Sequence, residues 1–121
     1  MKALALGLAA VALLAACGGG GSGTSQPAGS TKVTLSEFKF DPSTITVPSG
    51  KAVFFLVNTG TSSHDMEILD SSGKRVAISE LVSAGDSIVF TVDNIPAGTY
   101  KIRCTQQGHE ASGMKGTLTA T

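Results

Sequence analysis

Three side chains that can bind a metal follow one another at equal spacing near the C-terminal end of the sequence. Cys104, His109 and Met114 stand five residues apart, and the residues between them include glycines and small polar types. Such a segment can bend so that the thiol, the imidazole and the thioether converge. A thiolate, imidazoles and a thioether form a soft ligand set that suits copper. The spacing therefore predicts a metal-binding loop over residues 104–114.

The sequence contains one other histidine, His64, which lies upstream at the start of an apolar segment. If this segment reaches the same end of the fold as the loop, His64 completes a set of two imidazoles, one thiolate and one thioether. That set is the blue-copper arrangement, with three strong ligands and a weak axial methionine. Taken singly, each residue has an ordinary alternative as a surface or core histidine, a buried methionine or a reactive thiol. Their joint placement favours a site for one copper ion, Cu+ or Cu2+.

The elements that must position these residues have the pattern of β-strands. From residue 32 onwards, short segments rich in Val, Ile, Thr and Phe alternate with turn signals such as Asp41-Pro42. The residues at 78–83 are compatible with a single helical turn. Seven or eight short strands at this spacing predict an all-β Greek-key sandwich. We predict strands, the first with a bulge, at residues 32–40, 44–47, 52–58, 64–69, 87–92, 99–104 and 115–119.

The first sixteen residues have the pattern of an export signal. Lys2 precedes an apolar run over 3–14, which is too short for a bilayer span of ~20 residues. Leu14-Ala15-Ala16-Cys17 resembles the lipobox of bacterial lipoproteins, in which the cysteine is lipidated and becomes the new N-terminus. We therefore predict an exported protein anchored to the membrane through Cys17, on the periplasmic or outer cell-surface side. A signal-anchor helix and an ordinary signal peptide followed by a free cysteine are the alternatives.

A Gly-, Ser- and Thr-rich segment joins the predicted anchor to the predicted domain. Its composition cannot bury a core, so we expect a flexible tether. A chain of 121 residues has room for one small domain. The predicted organisation is a signal peptide at 1–16, a lipidated cysteine and linker at 17–31, and one β-sandwich domain at 32–121.

Composition narrows the classes of function. Nine basic and nine acidic residues give a net charge of zero, so no strong field attracts nucleic acid. With both histidines taken as ligands, the chain has no further histidine for a hydrolase base or for the extra copper sites of copper oxidases. We therefore predict a protein that is not an enzyme, does not bind nucleic acid and needs to be no more than a monomer.

The spacing Cys104-x4-His109-x4-Met114, with Tyr100 before it and Lys115-Gly116-Thr117-Leu118 after it, resembles the ligand loop of the cupredoxins. The resemblance covers nearly all of the predicted domain. It implies a cupredoxin-like β-sandwich that holds one type 1 copper ion as its cofactor.

The pair His64-Asp65 matches the first histidine of the family and the Asn or Asp that follows it. The resemblance also implies that Asp65 hydrogen-bonds across to Thr105, since such outer contacts orient metal ligands. The copper ligands implied by the resemblance are His64, Cys104, His109 and Met114.

Many members of the family have Pro-Gly-His at the second histidine, whereas this chain has Gln107-Gly108-His109, which implies a less rigid loop. The predicted anchor makes the chain similar to lipid-anchored members such as auracyanin and halocyanin. The implied function is a tethered carrier of single electrons, with redox proteins at the membrane surface as partners. An extracytoplasmic copper-binding or delivery protein would use the same ligands and is the alternative. A metal-free binding module is a further alternative if copper does not bind.

Overall fold

The computed structural model describes residues 24–121, and the predicted signal peptide and Cys17 lie outside this part of the chain. Within residues 24–121 no helix has the length and apolar character needed to traverse a bilayer. The described strands are β1 (Thr31–Ser36), β2 (Lys39–Asp41), β3 (Thr44–Val47), β4 (Gly50–Asn58), β5 (Glu67–Leu69), β6 (Arg75–Ile78), β7 (Ser87–Ile95), β8 (Gly98–Arg103) and β9 (Lys115–Ala120).

These strands form two mixed sheets that share one hydrophobic core. The first sheet has the order β2-β1-β4-β7, and the second has the order β3-β9-β8-β5-β6. The pairs β1–β4 and β3–β9 are parallel, and the other pairs are antiparallel. The prediction of an all-β sandwich is confirmed, although the described residues contain more strands than the seven or eight expected.

The core forms where the sequence places apolar residues on inward-facing positions. Strand β4 lies between β1 and β7, and the rings of Phe54 on β4 and Phe90 on β7 stack with their centroids 5.7 Å apart. On β8, Tyr100 and Ile102 are buried whereas Lys101 between them is exposed, as the alternation predicts. The burial of β4 on both faces explains why its sequence is an almost continuous apolar run.

The segment predicted as one bulged strand at 32–40 is instead two antiparallel strands. Strands β1 and β2 pair Leu35 with Phe40 and Ser36 with Lys39, so the chain reverses at Glu37 and Phe38. The apolar positions change from odd-numbered residues (Val33 and Leu35) to even-numbered ones (Phe38 and Phe40) across this reversal, and such a change of phase fits a bulge as well as a turn. The prediction of a single strand here is wrong.

The helical turn allowed at 78–83 is also absent from the structure. Strand β6 ends at Ile78, and the backbone beyond it bonds across to the segment that carries the first histidine. Ser79 N–H donates to the carbonyl of Met66 at 3.0 Å, and Val82 N–H donates to the carbonyl of His64 at 2.8 Å. These bonds between two segments of the chain replace the local bonds that a helical turn would make.

Strand β9 approaches the chain before β3 so closely that position 116 has no room for a side chain. A Cβ on Gly116 would overlap the carbonyl oxygen of Ser43 and lie 3.2 Å from Cδ1 of Ile102. The neighbouring Thr117 N–H donates to the same carbonyl at 2.8 Å, which holds the two segments at this spacing.

We expect Gly116→Ala to lower the free energy of unfolding by about 2 kcal/mol, because backbone must move to admit the methyl group. The measurement is urea unfolding of the metal-free chain. Thr117→Ala is the control at an exposed position of the same strand, and it should cost less than about 1 kcal/mol. Equal losses in the two variants would contradict the steric explanation.

Candidate metal centre

Two segments that are far apart in the sequence meet at one end of the sandwich. His64 lies between β4 and β5, and its backbone pairs with Val82 in an isolated bridge. The other segment is the loop between β8 and β9, which begins at Cys104 and ends at Met114. The structure brings the predicted ligands of both segments together.

Three of the predicted ligands offer their donor atoms to one point. The Nδ1 atoms of His64 and His109 are 3.2 Å apart. The Sγ atom of Cys104 lies 3.9 Å from Nδ1 of His64 and 3.5 Å from Nδ1 of His109. All three donor atoms lie within 4.8 Å of one another, so a single ion can be held by all of them.

Met114, the fourth predicted ligand, is fully buried and closes the same loop. Its carbonyl accepts a hydrogen bond from Cys104 N–H at 3.1 Å, and its own N–H donates to the carbonyl of His109 at 3.0 Å. The backbone of Met114 is therefore bonded to two of the other predicted ligands, which fixes its position relative to them.

The loop itself is a series of tight turns. His109 N–H donates to the carbonyl of Gln106 at 3.0 Å, and Gly113 N–H donates to the carbonyl of Glu110 at 3.0 Å. Gly108 has a φ of 80°, a left-handed conformation that a residue with a Cβ rarely adopts. The glycine before His109 therefore allows the turn that points this imidazole at the cluster.

The carboxylate of Asp65 joins the two ligand segments from inside. Thr105 N–H donates to Oδ1 of Asp65 at 2.7 Å, and the Thr105 hydroxyl donates to Oδ2. Gln106 Nε2 donates to Oδ2 from 3.3 Å. Because Asp65 follows His64 and Thr105 follows Cys104, these bonds hold the two ligand residues side by side.

The charged residues of the outer surface hold the loop in place. Glu110 lies 2.7 Å from Nζ of Lys101 and 3.3 Å from Nη1 of Arg103, and both partners, Lys101 first, lower the pKa of its carboxyl group. Arg103 also bonds to the buried Glu67 at 2.6 Å, and so does Arg75. Sequence reasoning missed this network, since strand register decides which charges meet.

The two histidines differ in their exposure. His64 is fully buried, whereas His109 is partly exposed beside Phe38, with the ring centroids 4.9 Å apart in an edge-to-face arrangement. Cys104 and Met114 are buried as well. Among the four predicted ligands, His109 is therefore the one that reaches the surface.

The environment of Cys104 suits a metal-bound thiolate better than a free one. Burial raises the pKa of the thiol, and hydrogen bonds from the backbone of Asp65 and Gln106 act in the opposite direction. Cys104 has no disulfide partner in residues 24–121. A buried thiol that already receives backbone hydrogen bonds fits a ligand that loses its proton when a metal binds. The donor set, soft and enclosed, fits one type 1 copper ion.

Glu37 is a neighbour of this cluster that sequence reasoning did not identify as part of a site. Its Oε1 atom lies 3.0 Å from Nε2 of His64, on the side of the ring away from the cluster. The sequence did carry a signal, the change of phase between Leu35 and Phe38, but it fits a bulge as well as the β1–β2 turn that brings Glu37 here.

Comparisons with known proteins agree with this architecture. A family model described as a cupredoxin-like domain matches residues 5–120. No curated protein matches the sequence.

Several solved structures share the fold. The dithionite-reduced auracyanin of Roseiflexus castenholzii is 22% identical and has a TM-score of 0.68, over 79% of this chain and 99% of that one. Auracyanin A of Chloroflexus aurantiacus, described as a "blue" copper protein, is 20% identical with a TM-score of 0.62, over 74% and 99%. A purple cupredoxin of Nitrosopumilus maritimus is 18% identical with a TM-score of 0.57, over 75% and 99%.

These structural similarities establish the fold, and the family model, which spans nearly the whole sequence, establishes the family. The chain belongs to the cupredoxin-like family, and the type 1 copper ion that is the cofactor of this family fits the donor set at the end of its sandwich.

Proposed function

We propose that this chain carries single electrons, with copper held by His64, Cys104, His109 and Met114. When bound, copper supplies a one-electron couple, Cu+/Cu2+. The observation that carries the proposal is the convergence of two imidazole nitrogens and one thiol sulfur within 4.8 Å. The similarity in fold to auracyanin A, a "blue" copper protein, supports the same function.

The residues around the cluster support rapid electron exchange because they hold the ligands in fixed positions. His64 is bonded to Val82 through both backbone groups, at 3.1 Å and 2.8 Å. Cys104 is bonded through its N–H to the carbonyl of Met114. Ligands that are fixed in this way need to move little when the charge of the site changes, and a small rearrangement is what an electron carrier needs.

His109 is the proposed exit route for the electron. It is the partly exposed ligand, and the apolar ring of Phe38 beside it is 39% exposed. An exposed aromatic ring beside an exposed ligand suits contact with a redox protein. We therefore propose redox proteins as partners.

We also propose that the chain is not an enzyme. Both of its histidines belong to the proposed site, so neither is left to act as a catalytic base.

The burial of the other ligands favours electron transfer over copper delivery. His64, Cys104 and Met114 are each no more than 1% exposed. A delivery protein must release its ion to an acceptor that displaces the ligands, and here the acceptor could reach only His109 directly. Measurement of the electron self-exchange rate against the rate of Cu+ loss to a chelator separates the two functions.

The copper site is tested by titrating the whole chain with Cu2+ under visible absorption and electron paramagnetic resonance. We expect one equivalent to give an intensely coloured species with a small copper hyperfine splitting, because a thiolate ligand is required for both. Cys104→Ser should lose the intense colour. Cys17→Ser, the same substitution at the other cysteine, should keep it. Strong colour in Cys104→Ser would show that the ligand set is wrong.

The role of Met114 is tested by the reduction potential. Met114→Leu should keep copper and colour but raise the potential by roughly 60 mV, about a tenfold shift towards Cu+, since the variant would lack a thioether donor that would stabilise Cu2+. Met66→Leu is the matched control, because Met66 is also fully buried. If the two variants have the same potential, Met114 is not a ligand.

We further propose that the domain is tethered to the membrane through a lipidated Cys17, on the extracytoplasmic side. The support is the lipobox-like Leu14-Ala15-Ala16-Cys17 and the Gly-rich segment after it. Stable attachment needs two acyl chains, which a lipoprotein cysteine provides. In a bacterial host, Cys17→Ser should move the protein from the membrane fraction to the soluble extracytoplasmic fraction. A wild-type chain found in the soluble fraction would contradict the tether.

A further inference from the structure

The turn between β1 and β2 places a carboxylate against the outer side of a predicted copper ligand. Oε1 of Glu37 lies 3.0 Å from Nε2 of His64. His64 is fully buried, and the side chain of Glu37 is 27% exposed. Because Nδ1 of His64 faces Cys104 and His109, the imidazole lies between the donor cluster and the carboxylate.

The carboxylate is held by the loop that precedes His64. Ser62 N–H donates to Oε1 of Glu37 at 2.8 Å, and Thr61 N–H donates to Oε1 at 3.0 Å and to Oε2 at 3.2 Å. The hydrogen bond from Ser62 is the main reason that the pKa of Glu37 is lowered to about 2; burial opposes it, and Thr61 and His64 add to it. The group is therefore a carboxylate at neutral pH.

The loop is shaped around this carboxylate. A Cβ on Gly60 would lie 2.5 Å from Oε1 and 2.6 Å from Oε2 of Glu37, so a side chain at position 60 would collide with the carboxylate. Gly60 N–H donates to Oδ1 of Asn58, and Nδ2 of Asn58 donates to the carbonyls of Ser62 and Val82 at 2.7 Å and 2.9 Å. The loop is thus fixed at both ends, and its Thr61 and Ser62 N–H groups are directed at Glu37.

A carboxylate can only accept hydrogen bonds, so the proton of His64 must lie on Nε2. The lone pair of the neutral imidazole then lies on Nδ1, which is the nitrogen that faces the cluster. A negative charge on the far side of a ligating histidine also raises the basicity of that ligand. Both effects act on the ion through His64.

We propose that Glu37 is a positioning residue of the copper site, which fixes His64 as an Nδ1 ligand and stabilises Cu2+ over Cu+ through its negative charge. This inference rests on the proposed function. The competing explanation is that Glu37 only anchors the loop at 59–63. The two explanations differ in what they predict for the reduction potential.

The test compares three variants of the whole chain loaded with copper. Glu37→Gln keeps a side-chain oxygen for the three donors to Oε1, removes the charge and gives up the longer 3.2 Å bond from Thr61 N–H to Oε2. Glu37→Ala removes the contact as well. Glu80→Gln is the matched control, because it removes the same charge from an exposed glutamate two residues before Val82, the backbone partner of His64.

We expect Glu37→Gln to shift the equilibrium towards Cu+ by about tenfold, which is about 59 mV for one electron. Glu80→Gln should shift it by less than about twofold. A loop anchor without an electrostatic role would leave the potential of Glu37→Gln equal to that of the control, and this result would overturn the charge effect.

A second measurement does not depend on the potential. In the Cu+ form, nitrogen–proton correlation spectra should show the proton of His64 on Nε2 and slow exchange of this proton with solvent. Exchange should be at least tenfold faster in Glu37→Ala and unchanged in Glu80→Gln. A proton that is absent from Nε2 in the wild type, or exchange that is equal in all variants, would overturn the positioning role.

The proposed function and the role of Glu37 are tested on different samples. A wild-type chain that binds copper without the intense colour overturns the proposed function, and the role of Glu37 falls with it. A wild-type chain with the expected spectrum, combined with variants that match the control, overturns the role of Glu37 alone. If Glu37→Ala does not fold, the potential of Glu37→Gln still decides the question.

Discussion

The hydrogen bonds between Asp65 and Thr105 hold together two segments that the chain separates by about half the domain. Each partner directly follows a predicted ligand, so the bonds to the Thr105 amide and hydroxyl set the spacing of the His64 and Cys104 side chains. Asp65 is buried, and a buried carboxylate without these donors would be costly. The charge of Asp65 and the geometry of the metal cluster therefore depend on the same contacts.

Three carboxylates surround the site, and their partners give them different roles. Glu110 lies beside Lys101 and Arg103, so its charge is neutralised on the surface and it serves to attach the loop to β8. The charges of Asp65 and Glu37 are instead met by neutral N–H and O–H donors and an imidazole. Two negative charges therefore persist next to the ligands, and such an environment favours the more highly charged ion.

The sequence was sufficient for the parts of the molecule that depend on local pattern and residue chemistry. Strand 44–47 was predicted with its observed bounds. The alternation in β8 correctly predicted that Tyr100 and Ile102 are buried. Register and chain reversal are not local. The turn at Glu37, the backbone pairing of Val82 and the contacts of Glu67 each depend on which strands become neighbours, so they could not be predicted from one-dimensional periodicity.

The contact with Glu37 also determines where the protons of the donor cluster lie. A neutral imidazole has one N–H, and Glu37 takes that of His64 on Nε2, so Nδ1 of His64 offers a lone pair to Nδ1 of His109 at 3.2 Å. The pair is compatible only if His109 carries its proton on Nδ1, while the buried thiol of Cys104 keeps its own proton because burial raises its pKa. The protons on Nδ1 of His109 and on the thiol of Cys104 therefore occupy positions at which a soft cation could bind. Backbone hydrogen bonds hold the ligand segments in this arrangement.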